Sequence, residues 1–289
     1  MKRHRAEQQQ DINATILLLP EIWTIIFLFC GEEWYLTKAV RVSRAWVDIV
    51  SCFVTTIGVV EEKWSNRLDD YALQCTPKLR ALRTEANWFY VTTDGLRKVS
   101  GLTSLELSVH IRNLTSDALT CFESLTYLSC TPQLSLPHKS TNLQTLCISH
   151  NNIANDNSLS CFTQLKTLRI SGCNQVTPKG LRKLTSLTHL DISKQCAYHR
   201  FLPKLTNLTK LITRERWFLD DYSLFRLTKL VTLNLNVTGP VTGRSLSKMP
   251  HLTSLQVIGN GSKMCVVAST PDRLHALLNT FYRKYMDIV

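Results

Sequence analysis

The chain of 289 residues carries 34 Lys and Arg against 22 Asp and Glu, a formal net charge of +12, with 44% hydrophobic and 19% charged residues. That balance suits a chain able to bury a sizeable core and excludes an intrinsically disordered one. The positive excess points to an acidic partner surface. With no dense basic run, C2H2 spacing, RNP-like aromatic strand or basic helix before heptads, nucleic acid is not the expected partner.

Residues 1–14, MKRHRAEQQQDINA, read as a disordered basic leader. Behind them ILLLPEIWTIIFLFC, 16–30, is the most apolar run in the chain. Its 15 residues, interrupted by Pro20 and Glu21, fall short of the roughly 20 that span a bilayer, so no membrane partner is expected. Glu7, Asp11 and Glu21, with no small residues ahead of a cleavage point in FLFCGEEW, argue against a secretory signal. Ile22, Ile26 and Phe29 share a helical face, and Leu36, Val42 and Trp46 supply further apolar anchors in a more basic stretch ending VSRAW.

Taken together, these residues resemble the F-box, which reads Leu-Pro, then Glu-Ile, then Ile-Phe, and later Leu, Val-Ser-Arg and Trp. Here Leu18, Glu21, Ile22, Ile26, Phe27, Leu36, Val42, Ser43, Arg44 and Trp46 fall at matching intervals, with Pro20 one position later than the family's proline. The resemblance covers 15–52. It implies a small three-helix module docking on the Skp-type adaptor of a cullin–RING ubiquitin ligase, with Leu18, Pro20, Ile22, Ile26, Leu36, Val42 and Trp46 at the contact. Without that likeness the same run reads as a hydrophobic cap for the array that follows.

Residues 53–78 complete the helical module and give a strand-like FVTTIGVV and a helical EEKWSNRLDDYAL. This is the pattern of an N-terminal cap or degenerate first coil, joining the module rigidly to what comes next.

From Leu79 one motif dominates. L-x-x-L-x-L recurs nine times, beginning at Leu79, Leu102, Leu125, Leu143, Leu165, Leu187, Leu208, Leu230 and Leu252, with steps of 23, 23, 18, 22, 22, 21, 22 and 22 residues. Self-similarity at a period near 20 signals a repeat architecture. Three positions beyond the last apolar residue stands a polar slot: Asn87, His110, Gln133, Asn151, Cys173, Gln195, Arg216, Thr238 and Asn260. These features resemble the leucine-rich repeat family, whose slot residue satisfies backbone groups of neighbouring coils. LKTLRISGCNQVTPKGLRKL, 165–184, is similar to its cysteine-containing subtype. The fold class expected is α/β, a leucine-rich repeat solenoid over 79–262 with a curved parallel sheet and short convex helices, preceded by the three-helix F-box module.

Within each motif the residues alternate, Leu and Ile inward and the intervening residues outward, and stacked repeats bury a continuous core. SDALTCF, TPKGLRKL, DDYSLFRL and TGRSLSKM read as short convex helical turns, with Asp, Thr or Ser available as caps. The outward strand residues form the concave face expected to bind a protein target, with Arg83, Glu106, Arg169, Asp191, Lys210, Arg214 and Asn234 as its polar and charged candidates. Where the step shortens to 18, SLPHKSTN with Pro132 and Pro137 nearby leaves little room for a helix and predicts an extended crossover. Residues 263–289 are expected to be a C-terminal capping helix, with Leu274, Leu277, Leu278, Phe281 and Tyr285 on one face.

No phosphate-binding loop, H-E-x-x-H or G-x-S-x-G is present, and GNGSK at 259 lacks a strand–helix context. The ten cysteines form no C-x-x-C pair, so no metal is expected. Standing singly, they fit buried residues in a reducing compartment. Cys173 and Cys196 show no electropositive setting that would make a ligase nucleophile. The expectation is a non-enzymatic substrate receptor without cofactors, cytoplasmic or also nuclear. The alternative is a leucine-rich repeat interaction scaffold unconnected to any ligase.

Overall fold

The computed structural model describes residue 41 and residues 44–59, 68–84, 90–107, 113–131, 133–193, 199–213, 220–236, 243–246, 248–259, 262–267 and 272. The chain divides into two compact units, Met1–Phe122 and Glu123–Val289.

In the first unit, helix α1 (Arg44–Phe53) leads within two residues into strand β1 (Thr56–Val59). Helix α2 (Asp70–Gln74), strand β2 (Ala81–Thr84), helix α3 (Thr93–Lys98) and strand β3 (Ser104–Leu107) follow. The three strands pair in parallel, with Ile57 beside Leu82 and Leu82 beside Leu105, all three buried. The strand expected in FVTTIGVV is therefore present and joins the repeats as their first member. The third inward slot of β2 holds a threonine rather than an aliphatic residue. Thr84 stays buried because its hydroxyl donates to the Glu106 carbonyl at 3.2 Å, which satisfies the group burial would otherwise penalise.

Helix ends in this unit are tied to each other. Asp69 caps α2 by accepting from the Ala72 amide at 3.0 Å, and Thr92 caps α3. Asp70 then accepts from both the amide and the hydroxyl of Thr92, each at 2.7 Å. One carboxylate in the first turn of a helix thus fixes the cap of the helix in the next repeat.

The second unit holds strands β4 (Tyr127–Cys130), β5 (Thr145–Ser149), β6 (Thr167–Ser171), β7 (His189–Ser193), β8 (Lys210–Thr213), β9 (Thr232–Asn236), β10 (Ser254–Gly259) and β11 (Ser262–Val267). Strands β4 to β10 are parallel and pair in sequence order, so Leu128, Leu146, Leu168, Leu190, Leu211, Leu233 and Leu255 stand side by side. All seven are buried. Each such leucine contributes about 1.5–3 kcal/mol relative to exposure, and only the neighbouring repeats supply the cover.

The returns between strands are short: helix α4 (Asp156–Leu159), helix α5 (Pro178–Leu181), a 3-10 turn over His199–Lys204, helix α6 (Asp221–Leu224) and helix α7 (Gly243–Leu246). Asn155, Thr177 and Asp220 cap α4, α5 and α6. Asp156 accepts from the Thr177 amide at 2.7 Å and its hydroxyl at 2.6 Å, the same tie that Asp70 makes to Thr92. Between β4 and β5 the described residues contain no helix, as the prolines and the short step require.

Two recurrent sequence features find their physical reason here. The threonine after the first leucine of a motif donates to the carbonyl one repeat earlier: Thr103 to Arg80, Thr188 to Lys166 and Thr209 to Thr188, each at 3.1 Å. In the polar slot, Asn151 is fully buried; its amide donates to the Leu134 carbonyl at 2.8 Å. Its oxygen accepts from the amides of Ile153 and Ala154, each at 2.9 Å. Cys173 takes the same slot one repeat on, buried, with its thiol donating to the Ser171 carbonyl at 3.6 Å.

The C-terminal boundary differs from expectation. Where the capping helix was to begin at 263, Ser262–Val267 is a strand antiparallel to β10, with Gly259 opposite Ser262. Asn260-Gly261 is the dipeptide that favours a two-residue hairpin connection, and it outweighs the start of a helix there. The apolar positions from Leu274 onward lie outside the described residues.

Candidate functional site

The alternation that buries the leucines leaves a second set of side chains on the opposite face of each strand. In the second unit they align by register into rows. One row runs Tyr127, Thr145, Thr167, His189, Lys210, Thr232, Ser254. The next runs Ser129, Cys147, Arg169, Asp191, Ile212, Asn234, Gln256. A third contains Ser149, Ser171 and Ser193. The floor is small and hydroxylic, with the charged residues gathered on β6, β7 and β8.

Of the expected target-binding residues, Arg169, Asp191, Lys210 and Asn234 thus stand on one face of adjacent strands. Asn234 donates its amide to Gln256 Oε1 at 2.8 Å, a cross-strand pair in register. Arg214 lies outside the described residues. Arg83 and Glu106 belong to the first unit, opposite each other on β2 and β3, with Arg83 Nε 3.3 Å from Glu106 Oε2.

Strand β7 departs from simple alternation. Asp191 and Ser193, both on the outward side, are 9% and 8% exposed, whereas Arg169 and His189 on the same face are exposed. The charge most open to a partner is therefore basic.

His189 is a site residue the sequence reading passed over. It precedes the second leucine of its motif, a position from which no target-binding candidate but Lys210 was drawn, and the strand begins there. Burial, followed by the positive charges of Lys210 and Arg169, holds its imidazole below the usual histidine range. Thr188 Oγ1 lies 2.9 Å from His189 Nδ1. The signal that would have found it is the strand length: five residues instead of the three that the motif spells out.

The cysteines on this part of the sheet are structural. Cys130 faces the core, and burial, then Cys173 and Cys147, push its thiol up to about 12. Burial also raises the Cys173 thiol, although backbone hydrogen bonds at Asn151 and Ser171 pull the other way. Neither is poised as a nucleophile at neutral pH. Among the described residues no cluster of three His, Cys, Asp or Glu side chains is placed to hold a metal ion.

Of the expected adaptor-binding residues, Leu18, Pro20, Ile22, Ile26, Leu36 and Val42 lie outside the described residues. Trp46 sits on α1 and is half-buried. Around it the join to the repeats is well connected. Val50 and Val54 are buried, the amides of Arg80 and Ala81 donate to the Thr55 carbonyl at 2.7 and 3.0 Å, and Lys78 Nζ donates to the Cys52 carbonyl at 3.3 Å. Arg41 pairs with Asp69 at 2.5 Å and lies 5.9 Å from the Tyr71 ring centroid.

Comparison with known proteins agrees with this architecture. The pattern for leucine-rich repeats, in two copies, matches residues 141–179. An internalin from Listeria monocytogenes aligns with a TM-score of 0.54 at 22% identity, over 66% of this chain and 56% of the internalin. A leucine-rich repeat protein from Leptospira interrogans aligns with a TM-score of 0.54 at 18% identity, over 75% of this chain and 57% of its own. The chain spans a little over half the length of these solved structures. No curated protein matches the sequence. The chain carries leucine-rich repeats, and its fold is that of a leucine-rich repeat scaffold. No helix among the described residues is long and apolar enough to cross a membrane.

Proposed function

We propose that this protein is a substrate receptor for a cullin–RING ubiquitin ligase: residues 15–52 dock on a Skp-type adaptor and the outward face of the repeat strands selects a protein target. The fold supports the binding half of this reading, since a row of outward strand residues on a packed core is a surface for recognition rather than for chemistry. The observation that carries the ligase half is the join. Helix α1, whose Arg44 and Trp46 belong to the F-box resemblance, runs within two residues into β1. It is held there by buried Val50 and Val54 and by Lys78, which bonds the Cys52 carbonyl.

Such a join has a mechanical purpose in a receptor. The contribution to ubiquitin transfer is proximity, because target lysines held beside the charged carrier react at a raised effective concentration. A loose tether would dilute that advantage; a helix spliced into the first coil preserves it. No residue of this chain need take part in the covalent steps.

Calorimetry of the full chain against a purified Skp-type adaptor tests the reading. One-to-one binding is expected, and Ile26→Glu should weaken it about a hundredfold, since a charge at a buried anchor costs roughly 3 kcal/mol or more. The thermal unfolding of the repeats should not change. Absence of binding by the intact chain would reduce residues 15–52 to a cap on the repeats.

A further inference from the structure

The outward face of β6 to β8 differs from that of β2 and β3, where Arg83 pairs with Glu106. Arg169 and Lys210 have no carboxylate within ion-pair distance among the described residues. Asp191 stands opposite Arg169 in register but is nearly covered, while Arg169 is exposed.

We infer that this face takes an acidic, extended protein segment laid across the strands, with carboxylates meeting Arg169 and Lys210. The inference deepens the target-binding half of the proposed function and rests on it. The spacing sets the ligand. Neighbouring strands lie about 4.8 Å apart, and Lys210 stands two strands from Arg169 and one row, two residues, back along the strand direction, so the two are separated by roughly 12 Å. An extended chain rises about 3.3 Å per residue with every second side chain on one face, which puts acidic side chains at positions i and i+4 over the two cations. The flanking Thr145, Thr167, Ser149 and Ser171 are small and half-buried; they let a backbone approach closely and offer hydroxyls to it. Ile212, beside Asp191 and half-buried, gives an apolar contact between the charged points.

His189 supplies an independent readout. It stands opposite Thr167 on β6 and Lys210 on β8, with Arg169 diagonal to it on β6 and Asp191 two residues on in its own strand, and Thr188 at its ring. Burial, then Lys210 and Arg169, hold its imidazole down, so an acidic segment seated on the two cations offsets their part of that field and shifts the His189 pKa upward.

Selection from a random peptide display library on the intact chain tests the inference at physiological salt. Enrichment of sequences with Asp or Glu four residues apart is expected. The R169Q/K210Q double variant should lose about tenfold in that enrichment, equivalent to about 1.4 kcal/mol, and Arg97→Gln, away from the face, should lose none. Asp191→Asn should enrich acidic sequences further, and an enriched peptide should raise the His189 pKa by NMR. Failure to enrich acidic sequences, enrichment equal in wild type and double variant, or a short single-stranded RNA held more tightly through the same two residues would each overturn it. Adaptor binding is measured separately in all variants, so its loss would be told apart from loss of peptide selection.

Discussion

Asn151 shows how much a single polar residue carries in this architecture. Its side chain bonds one carbonyl of the preceding coil and two amides of its own turn, all without contact with water. Asn151→Ala would strand those groups, and we expect a loss of at least about 2 kcal/mol, because an unsatisfied buried donor or acceptor costs about 1–3 kcal/mol. Urea denaturation would check it. The cysteines make a second residue-scale prediction. Cys52 is exposed whereas Cys75, Cys130 and Cys173 are buried, so alkylation of the native protein should mark Cys52 and spare those three until the chain unfolds. For Cys130 the sign of the pH effect follows from its raised pKa of about 12 against an ordinary 9.0. The folded state keeps the proton that the unfolded state releases, so its contribution to stability is complete below pH 9.0 and declines as pH rises towards about 12. His189 acts at the other end. Its depressed pKa means the unfolded chain takes up a proton first as pH falls through the histidine range, so acidification destabilises the fold there.

At the scale of elements, the tie between successive helix starts is the device that makes the repeats cooperative. Asp156 fixes Thr177, and the space is shared with Gly180, where an added Cβ would lie 2.4 Å from Asp156 Oδ1 and 2.9 Å from its Cα. Gly180→Ala should therefore displace the carboxylate and lower stability by about 1–3 kcal/mol, a loss that Gly58→Ala, with nothing near its Cβ, should not share. Thermal melts of the two variants decide this. The strands were legible in the sequence because two-residue alternation, with leucine or another small or apolar residue at the inward positions, leaves no competing structure. The ties were not, because they link residues 21 or 22 apart that look like ordinary surface Asp and Thr. Only the superposition of one repeat on the next brings Asp70 to Thr92 or Asp156 to Thr177. The terminal hairpin was missed differently: Asn260-Gly261 was weighed as part of a phosphate-loop fragment instead of a turn, which hid β11.

For the whole molecule, the sequence divides recognition between an N-terminal module and the repeat strands, and the two halves were legible to different degrees. The face of the second unit follows directly from the register, since naming the leucines names the residues that point away from them. What the motif could not convey is accessibility. Asp191 and Arg169 occupy the same slot in adjacent repeats, yet one is covered and the other open, because cover depends on neighbours beyond the motif. The module at 15–52 rests on spacing among Leu18, Ile22, Ile26, Leu36, Val42 and Trp46, and on the continuity of α1 with β1. The most direct measurement is hydrogen exchange of the full chain with and without a Skp-type adaptor. New protection confined to residues 15–52, with the amides of β5 to β8 unchanged, is the result expected of a receptor that keeps its target face free. Protection on those strands instead, or none anywhere, would contradict it.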